Sequence, residues 1–509
     1  MKPVNCFAMA SAIVFYVAPS LVLAQDDEDA HHQIDQIVVT ATPLSRTVED
    51  LAQPTSVLHG KELAKKQSTS IGETLSQEPG LSSSYFGPIS SRPVIRGQFG
   101  ERVRVLTNGL DSLDASALSA DHQTTVEGLL ADRIEIIRGP ATLLYGSGAA
   151  GGLVNVVDSR FIEQPLAEPF NAALALGADT AVGNRDAAFR AHFGTGSIAF
   201  NADYFIRSTD NIEIPGYAES KILRDLEEAE GGGEEEEGEE EAFGVVENAD
   251  SETHGGALGV SFVNDRGFLG VSLSTFDSEY GIPGHHHHEE EAPLPGEPEE
   301  DEELVRIDLE QTRVDAKGEY DLDGRLLSGI RFRGAVNDYK HIELEGAETG
   351  TVFDVKGTDG RIELRHAKIG NLEGAIGLQY KRVDFDAIGD EAFVPASDTK
   401  STSLFLFEEW AISDAWILQG SARFEDQSIA GVTLVETYDD SAFGASIGSV
   451  WRPIDDIRVS ANLAMTERHP NSSELYADGP HVAAQRYERG SVTLGNGILD
   501  KEQSLSLIH

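Results

Sequence analysis

The sequence predicts an all-β protein in which a transmembrane antiparallel β-barrel follows an N-terminal α+β domain. Three observations predict this fold. The chain begins like an exported protein, and beyond that start no apolar run is long enough to cross a bilayer as a helix. From about residue 161, apolar and polar residues alternate over stretches of roughly ten, as in strands with one face toward lipid. Glycine is frequent, at 51 of 509 residues, as many strands joined by tight turns require.

The N-terminus has the parts of a secretory signal peptide. A charged start precedes an apolar stretch from Phe7 to Leu23, and Ala24 offers a small-residue cleavage site before an acidic run. We therefore predict a signal peptide over residues 1–24 rather than a membrane anchor. The sole cysteine, Cys6, lies inside it, so the mature protein would have no disulfide and no thiolate ligand. Any metal site must then use His, Asp and Glu.

The charge balance excludes one class of partner. The chain has 39 Lys and Arg against 87 Asp and Glu, a formal net charge of -48. This excess repels phosphate backbones, so we expect no nucleic-acid partner, and it concentrates cations near the surface. Much of the charge lies in residues 226–241 and 285–303. Like charges and low apolar content prevent a packed core there, so both are predicted to be long, solvated extracellular loops.

The second acidic loop opens with a histidine tract. His285, His286, His287 and His288 are followed by three glutamates. Imidazole and carboxylate suit zinc, nickel or copper, and the tract predicts auxiliary metal capture. The alternative is a low-complexity segment without a ligand.

Between the signal peptide and the barrel, two regions follow in order. Residues 25–50 contain a short β-prone segment, and residues 51–160 form a region of mixed character. Within the latter, the spacing of apolar residues from Gly60 to Leu75 predicts helix, and short runs at Val103 to Leu106 and Arg133 to Ile137 predict strands.

The remaining residues, 161–509, carry the barrel pattern. Tight turns alternate with long polar loops, an asymmetry that a soluble β-sandwich would seldom need, although a sandwich also shows alternation. The apolar positions that alternate with polar ones are Ile198, Phe200, Tyr204, Ile206, Leu258, Val260, Phe262, Leu269, Val271, Leu273, Ile330, Phe332, Val336, Leu404, Leu406, Val459 and Leu463.

A series of motifs in the N-terminal domain closely resembles the plug domain of TonB-dependent outer-membrane receptors. The motifs are Pro79-Gly80-Leu81, Arg92 to Gly97, Arg104 to Leu106, Asn108-Gly109, Asp132 to Ala141, Leu144 to Gly148 and Gly151 to Val156. The resemblance implies a plug inside a 22-stranded barrel in the bacterial outer membrane, acting as a monomeric importer rather than an enzyme. Uptake would be driven through the periplasmic protein TonB.

The same resemblance assigns two further features. Ile37, Val38, Val39, Thr40 and Ala41 lie where the family keeps its TonB box, and their β-branched composition suits pairing by strand addition. Family barrels continue for several more hairpins and end on an aromatic residue, whereas this sequence stops within a strand-like alternation. We therefore expect a truncated chain with 12 to 14 of the family's strands.

Three segments are similar to the zinc-receptor (ZnuD-like) subfamily. They are Leu118 to His122 in the plug, Tyr339 to Glu343 in the barrel and Glu467 to Ala483 in the barrel. The resemblance implies metal ligands at Asp121, His122, Glu343 and His481, with His341 and His254 as possible auxiliary ligands. Two imidazoles and two carboxylates form a plausible tetrahedral zinc set. The implied function is import of a metal ion, zinc first.

Several alternatives stay open. Each ligand could be a loop-capping or solvated residue, and the cargo could be copper, nickel, haem or a metal chelate. A secreted zinc hydrolase would need a motif such as His-Glu-x-x-His, which the sequence lacks. A passive surface barrel or adhesin would have no use for a TonB box or a plug.

Overall fold

The computed structural model describes residues 38–40, 42–139, 142–222, 224–225, 242–287, 303–346, 348–389, 392–431, 433–434, 436–454, 456–481 and 486–508. The predicted signal peptide and the acidic block 226–241 lie outside the described residues, as do His288 and the rest of its loop to residue 302.

The plug is an α+β domain built on a five-stranded sheet. The sheet order is β3-β8-β9-β6-β7, with β6 and β9 parallel and the other pairs antiparallel. Two small sheets, β1-β2 and β4-β5, flank it. The elements are β1 Val38–Val39, β2 Arg46–Thr47, β3 Thr55–His59, α1 Gly60–Lys66, α2 Ile71–Leu75, β4 Leu81–Ser83, β5 Pro93–Ile95, β6 Val103–Thr107, β7 Leu110–Asp111, β8 Ala131–Arg138, α3 Thr142–Tyr145 and β9 Gly152–Asp158, with 3-10 turns at Val48–Asp50 and Gly100–Arg102.

The local predictions for the plug are largely confirmed. The two predicted strands are β6 and β8. The helical stretch is two helices rather than one, because Ser70 accepts a hydrogen bond from the backbone N–H of Glu73 and so begins α2 separately. Asn108 and Gly109 both have positive φ, at 53° and 83°, which the tight turn between β6 and β7 requires.

The barrel is a 14-stranded antiparallel sheet in the described part of the chain, in agreement with the 12 to 14 strands expected. Its strands follow one another in sequence, apart from two excursions that form the hairpins β13-β14 and β25-β26. The elements are β10 Phe170–Ala178, β11 Arg185–Thr195, β12 Ile198–Thr209, β13 Ile212–Tyr217, β14 Phe243–Val246, β15 Ser251–Asn264, β16 Gly267–His287, β17 Glu303–Asp321, β18 Leu327–Glu345, β19 Glu348–His366, β20 Leu372–Gly389, β21 Ser397–Ser413, β22 Trp416–Ala430, β23 Tyr438–Ile454, β24 Ile457–Arg468, α4 Ser472–Tyr476, β25 Asp478–His481, β26 Arg486–Arg489 and β27 Glu502–Ile508.

Burial alternates along the barrel strands in the reverse of the soluble pattern. On β12, Phe200 and Ile206 are exposed on the outer face, whereas Asn201 and Arg207 are buried on the inner face. Outward apolar and inward polar residues are the pattern of a wall between lipid and a polar lumen. Two of the three exposed tryptophans, Trp416 and Trp451, pair across β22 and β23, as in an aromatic girdle.

No described helix is long and apolar enough to cross a membrane.

The lengths of the connections between strands indicate which end of the barrel faces the outside. The turns that follow β11, β15, β17, β19, β21 and β23 are short, whereas the excursions after β12 and β16 are long and acidic. Short turns face the periplasm and long loops face the outside in this class of barrel. The extracellular ends therefore include the end of β16 at His287 and the end of β18 at Glu345.

Candidate metal centre

Side chains from the plug and the barrel wall meet in a buried cluster near the extracellular end of the barrel. His122, His341 and Glu343 each offer one ligand atom, and these atoms lie within 4.8 Å of one another. Asp121 adjoins them, with Oδ2 3.8 Å from Nε2 of His122. All four residues are at most 5% exposed. The cluster therefore joins two parts of the fold that come from distant stretches of the chain.

The plug half lies on the loop between β7 and β8. His122 reaches the cluster through Nε2, because its other ring nitrogen, Nδ1, is 3.2 Å from the backbone carbonyl of Ala115. The side chain of Asp121 accepts a hydrogen bond from Ser119. A ligating histidine usually donates its second ring N–H to such an acceptor, which fixes the tautomer and orients the ring.

The barrel half lies on one face of β18. Residues two apart on a strand share a face, so Tyr339, His341 and Glu343 all point into the lumen. The Tyr339 hydroxyl lies 2.7 Å from Nδ1 of His341, which leaves Nε2 for the cluster. Nε2 of His341 and Oε2 of Glu343 are buried without a hydrogen-bond partner. Such atoms are costly in a folded protein unless something else binds them.

An aromatic ring packs beside these polar groups. Phe353 packs against both imidazoles, with ring centroids 5.1 Å from His122 and 4.4 Å from His341.

Burial alone would lower the pKa of His122, but the carboxylates of Asp121 and Glu343 raise that pKa to about 9. The site thus favours positive charge at this position, whether a proton or a metal ion supplies it.

Two of the separations between candidate ligand atoms match those around a tetrahedral ion. Nε2 of His122 and Nε2 of His341 lie 3.4 Å and 3.6 Å from Oε1 of Glu343. Zinc bonds of about 2.0–2.2 Å in a tetrahedron place neighbouring ligand atoms about 3.3–3.6 Å apart. The cluster is therefore within a few tenths of an ångström of that spacing along these two edges.

The structure brings some of the predicted ligand residues together and separates another from them. Asp121, His122 and Glu343 come together, and His341, predicted as auxiliary, joins them as the third member of the closest group. His254 does not: it lies on the outer face of β15, beside Asp277 and Tyr204, so its prediction as an auxiliary ligand is wrong. The strand period of two places it there.

Among the other predicted histidines, the described residues 285–287 and His481 lie at extracellular strand ends. His481 ends β25, whose first residue, Asp478, donates its backbone N–H to the carbonyl of Phe393. Phe393 packs near Leu118 of the plug loop. The side chain of His481 is outside what the structure describes, so its ligand role stays a prediction. The backbone of residues 285–287 ends β16, and the capture role of the tract is also untested.

The predicted TonB-box segment occupies the opposite, periplasmic end. Its described residues are Val38, Val39 and Thr40. The Thr40 backbone N–H and hydroxyl both lie 2.9 Å from Oε1 of Glu135, and Arg333 of β18 donates to the Thr40 carbonyl at 3.1 Å. The segment is therefore seated between the plug sheet and the barrel wall.

Sequence reasoning missed the residues that support the cluster. Tyr339 and Phe353 support the barrel half, and Tyr280 of β16 contacts the plug half. Alternation on β18 could have found Tyr339, since it shares a face with His341. No local pattern signals Phe353 or Tyr280, because their role depends on how the plug docks.

A plug domain together with a sheet whose outer face is apolar and whose inner face is polar defines a plugged outer-membrane β-barrel. The family pattern described as "TonB-dependent Receptor Plug Domain" matches residues 47–153, and the pattern described as "TonB dependent receptor-like, beta-barrel" matches residues 246–507. The second match alone spans more than half of the 509 residues. The chain belongs to the TonB-dependent receptors, a family of outer-membrane receptors and transporters rather than enzymes.

Individual relatives differ in their cargo. The vitamin B12 transporter BtuB of Photobacterium profundum is 25% identical over 481 residues, which cover 92% of this chain and 67% of the relative. The hemin receptor of Yersinia pestis is 33% identical over 138 residues, 26% of this chain and 20% of the receptor. The chain thus spans about two thirds of the first relative and a fifth of the second.

Solved structures share the fold at low identity. The copper transporter OprC aligns with a TM-score of 0.66 and 17% identity, over 89% of this chain and 68% of that one. The alcaligin receptor FauA from Bordetella pertussis aligns with a TM-score of 0.61 and 16% identity, over 92% and 69%. Cargo therefore has to be inferred from the residues of this chain.

Proposed function

We propose that this receptor imports a divalent metal ion, zinc first, through the cluster of Asp121, His122, His341 and Glu343. The observation that carries the proposal is the pair of buried, unpartnered ligand atoms on His341 and Glu343, which face the imidazole of His122. Two carboxylates and two neutral imidazoles would balance the charge of a dication in a dry site.

The types of donor atom in the cluster favour zinc over Cu(I), which is a softer ion. All candidate ligands are nitrogen or oxygen atoms, whereas Cu(I) prefers thiolate and thioether sulfur. The sole described methionine, Met465, is 47% exposed on the outer face of β24. Cu(II) and nickel also accept imidazole and carboxylate, so they remain the alternative ions.

The size of the cluster favours a bare ion over a chelate. Ligand atoms within 4.8 Å of one another, in residues at most 5% exposed, enclose one ion and no organic group. The ligands belong to both plug and barrel, so a plug movement would separate them and release the ion toward the periplasm.

Metal titration of the full-length refolded receptor tests the proposal. We expect Asp121→Ala/His122→Ala to abolish one tight zinc site, and deletion of His285 to His288 to remove only weaker sites. His469→Ala is a matched control, because His469 is also buried in the barrel but pairs with Tyr438 outside the cluster. Tight binding that survives the double substitution, or tight binding of copper alone, would refute the assignment.

A second pair of variants identifies the fourth ligand. Because the resemblance implies His481 while the closest group contains His341, the two histidines compete for one position. Replacing the histidine that binds the metal with alanine should change the absorption spectrum of bound Co²⁺ from that of a four-coordinate ion. The other substitution should leave that spectrum unchanged.

One observation favours a second candidate, the uptake of a metal chelate. A cavity lies between the plug and strands β19 to β22 and β24, lined by charged residues of both signs: Arg104, Asp111, Lys381, Arg423 and Glu425. Its volume of about 190 Å³ is enough for a small organic ligand. Binding of zinc only in the presence of a carboxylate chelator would favour this candidate over the bare ion.

A further inference from the structure

Tyr280, on β16 of the barrel wall, contacts the plug loop on both sides of His122. Its hydroxyl donates to the backbone carbonyl of Asp121 at 2.9 Å and accepts from the backbone N–H of Gln123 at 3.0 Å. The side chain is 2% exposed and lies in an apolar cluster with Phe276. A single barrel side chain therefore fixes the backbone before and after a candidate ligand.

This contact matters because the loop has no regular structure of its own. Between β7 and β8 the described chain forms only turns and bends, so single hydrogen bonds set its conformation. Ser90 donates to the carbonyl of Ala120 at 2.9 Å, and Ala115 bonds to the ring of His122. Those two contacts lie within the plug and would move with it. The bonds of Tyr280 join the loop to the barrel instead.

We propose that Tyr280 is a positioning residue that couples the seating of the plug to metal affinity. The inference rests on the proposed function, since it needs a metal site at the cluster. With the plug seated, the hydroxyl holds Asp121 and His122 toward the ligands on β18. A small displacement of the loop from β16 breaks both bonds, because hydrogen bonds weaken steeply beyond their normal length. The plug ligands then lose their orientation.

The test compares two tyrosines in the full-length receptor. Tyr280→Phe keeps the ring and removes the hydroxyl. Tyr438→Phe is the matched control, because Tyr438 is also 2% exposed and its hydroxyl lies 2.7 Å from Nδ1 of His469, outside the cluster. Zinc affinity is measured by competition with a chelator, and coordination by the absorption of bound Co²⁺.

We expect Tyr280→Phe to weaken zinc binding by about 10–100-fold and to alter the Co²⁺ spectrum, as loss of a group that orients a ligand does. Tyr438→Phe should change zinc affinity by less than about twofold, because distant sites act independently. His122→Ala separates the two proposals. If it removes the tight site while Tyr280→Phe binds zinc like the wild type, the positioning role is wrong and the metal site stands. If tight binding survives His122→Ala, the site itself is wrong.

Hydrogen exchange distinguishes positioning from general stabilisation. Loss of the Tyr280 hydroxyl should speed exchange of the Gln123 amide, while amides of the plug sheet such as Val105 keep their protection. Faster exchange throughout the plug would mean that Tyr280 only stabilises the domain, and the positioning role would be overturned.

Discussion

The two ends of β18 have different roles on the same face of the same strand. Its extracellular end carries His341 and Glu343, whose Nε2 and Oε2 atoms are buried without partners. Its periplasmic end carries Arg331 and Arg333, which donate to the carbonyls of Thr42 and Thr40 at 3.2 Å and 3.1 Å. About ten residues, or roughly 33 Å of strand, separate Arg333 from Glu343.

The difference lies in how charge is balanced. At the periplasmic end, Glu363 is surrounded by Arg331, Arg333 and Arg361 at 3.5, 3.6 and 2.6 Å, so its charge is compensated within the protein. At the extracellular end, Glu343 faces two imidazoles and no arginine or lysine among its described partners. In the described part of the chain, the only cations beside Glu343 are imidazoles, which can give up their protons to an incoming metal ion. The arginines around Glu363 keep their charge, so that carboxylate has a structural role.

Deleting Ile37 to Thr40 should have the largest effect on transport and none on binding. The deletion removes the segment predicted to pair with TonB, so we expect complete loss of zinc uptake by cells. The isolated receptor should bind zinc with wild-type affinity, because the cluster lies at the other end of β18. Uptake that persists in the deletion strain would contradict the TonB-box assignment.

Removing Glu343 should mainly lower zinc affinity, whereas removing Glu363 should mainly lower the stability of the receptor. Glu343→Ala should weaken zinc binding by at least about 100-fold, more than loss of a supporting residue, with little change in the free energy of unfolding. Glu363→Ala leaves three guanidiniums without their shared carboxylate and should destabilise the receptor by about 3–5 kcal/mol, with zinc affinity unchanged.

Zinc titration and urea unfolding in lipid vesicles measure the two quantities for each variant. Equal loss of stability in both variants would mean that Glu343 is also a structural ion pair, and the contrast between the two ends would fail.

Much of this arrangement could be predicted from sequence because it depends on local periodicity and motif. The resemblance to the zinc-receptor subfamily singled out Asp121, His122 and Glu343, with His341 as a possible auxiliary ligand. The period of two along β18 then explains why His341 and Glu343 share one face. The docking of plug to barrel could not be predicted, because Tyr280 lies 159 residues from the carbonyl it binds. Nothing near Tyr280 in the sequence distinguishes it from any lumen-facing aromatic residue.

Tyr339→Phe should have an intermediate effect. The substitution leaves Nδ1 of His341 without its hydroxyl partner, so the tautomer that presents Nε2 to the metal loses support. We expect zinc affinity to fall by about tenfold, measured by competition with a chelator. An unchanged affinity would indicate that His341 does not bind the metal and would favour His481 as the fourth ligand.

Deleting His285 to His288 should have the smallest effect on the buried site. Residues 285–287 end β16, the strand that carries Tyr280, so their backbone lies on the extracellular side of the cluster. If it captures ions for that site, its loss should slow uptake at low external zinc and leave uptake at high zinc unchanged. Replacing the four histidines with serine is the control for loop length and should reproduce the deletion. A drop in the affinity of the tight site after either change would show that the tract contributes to the buried centre, and the separation between capture and binding would have to be abandoned.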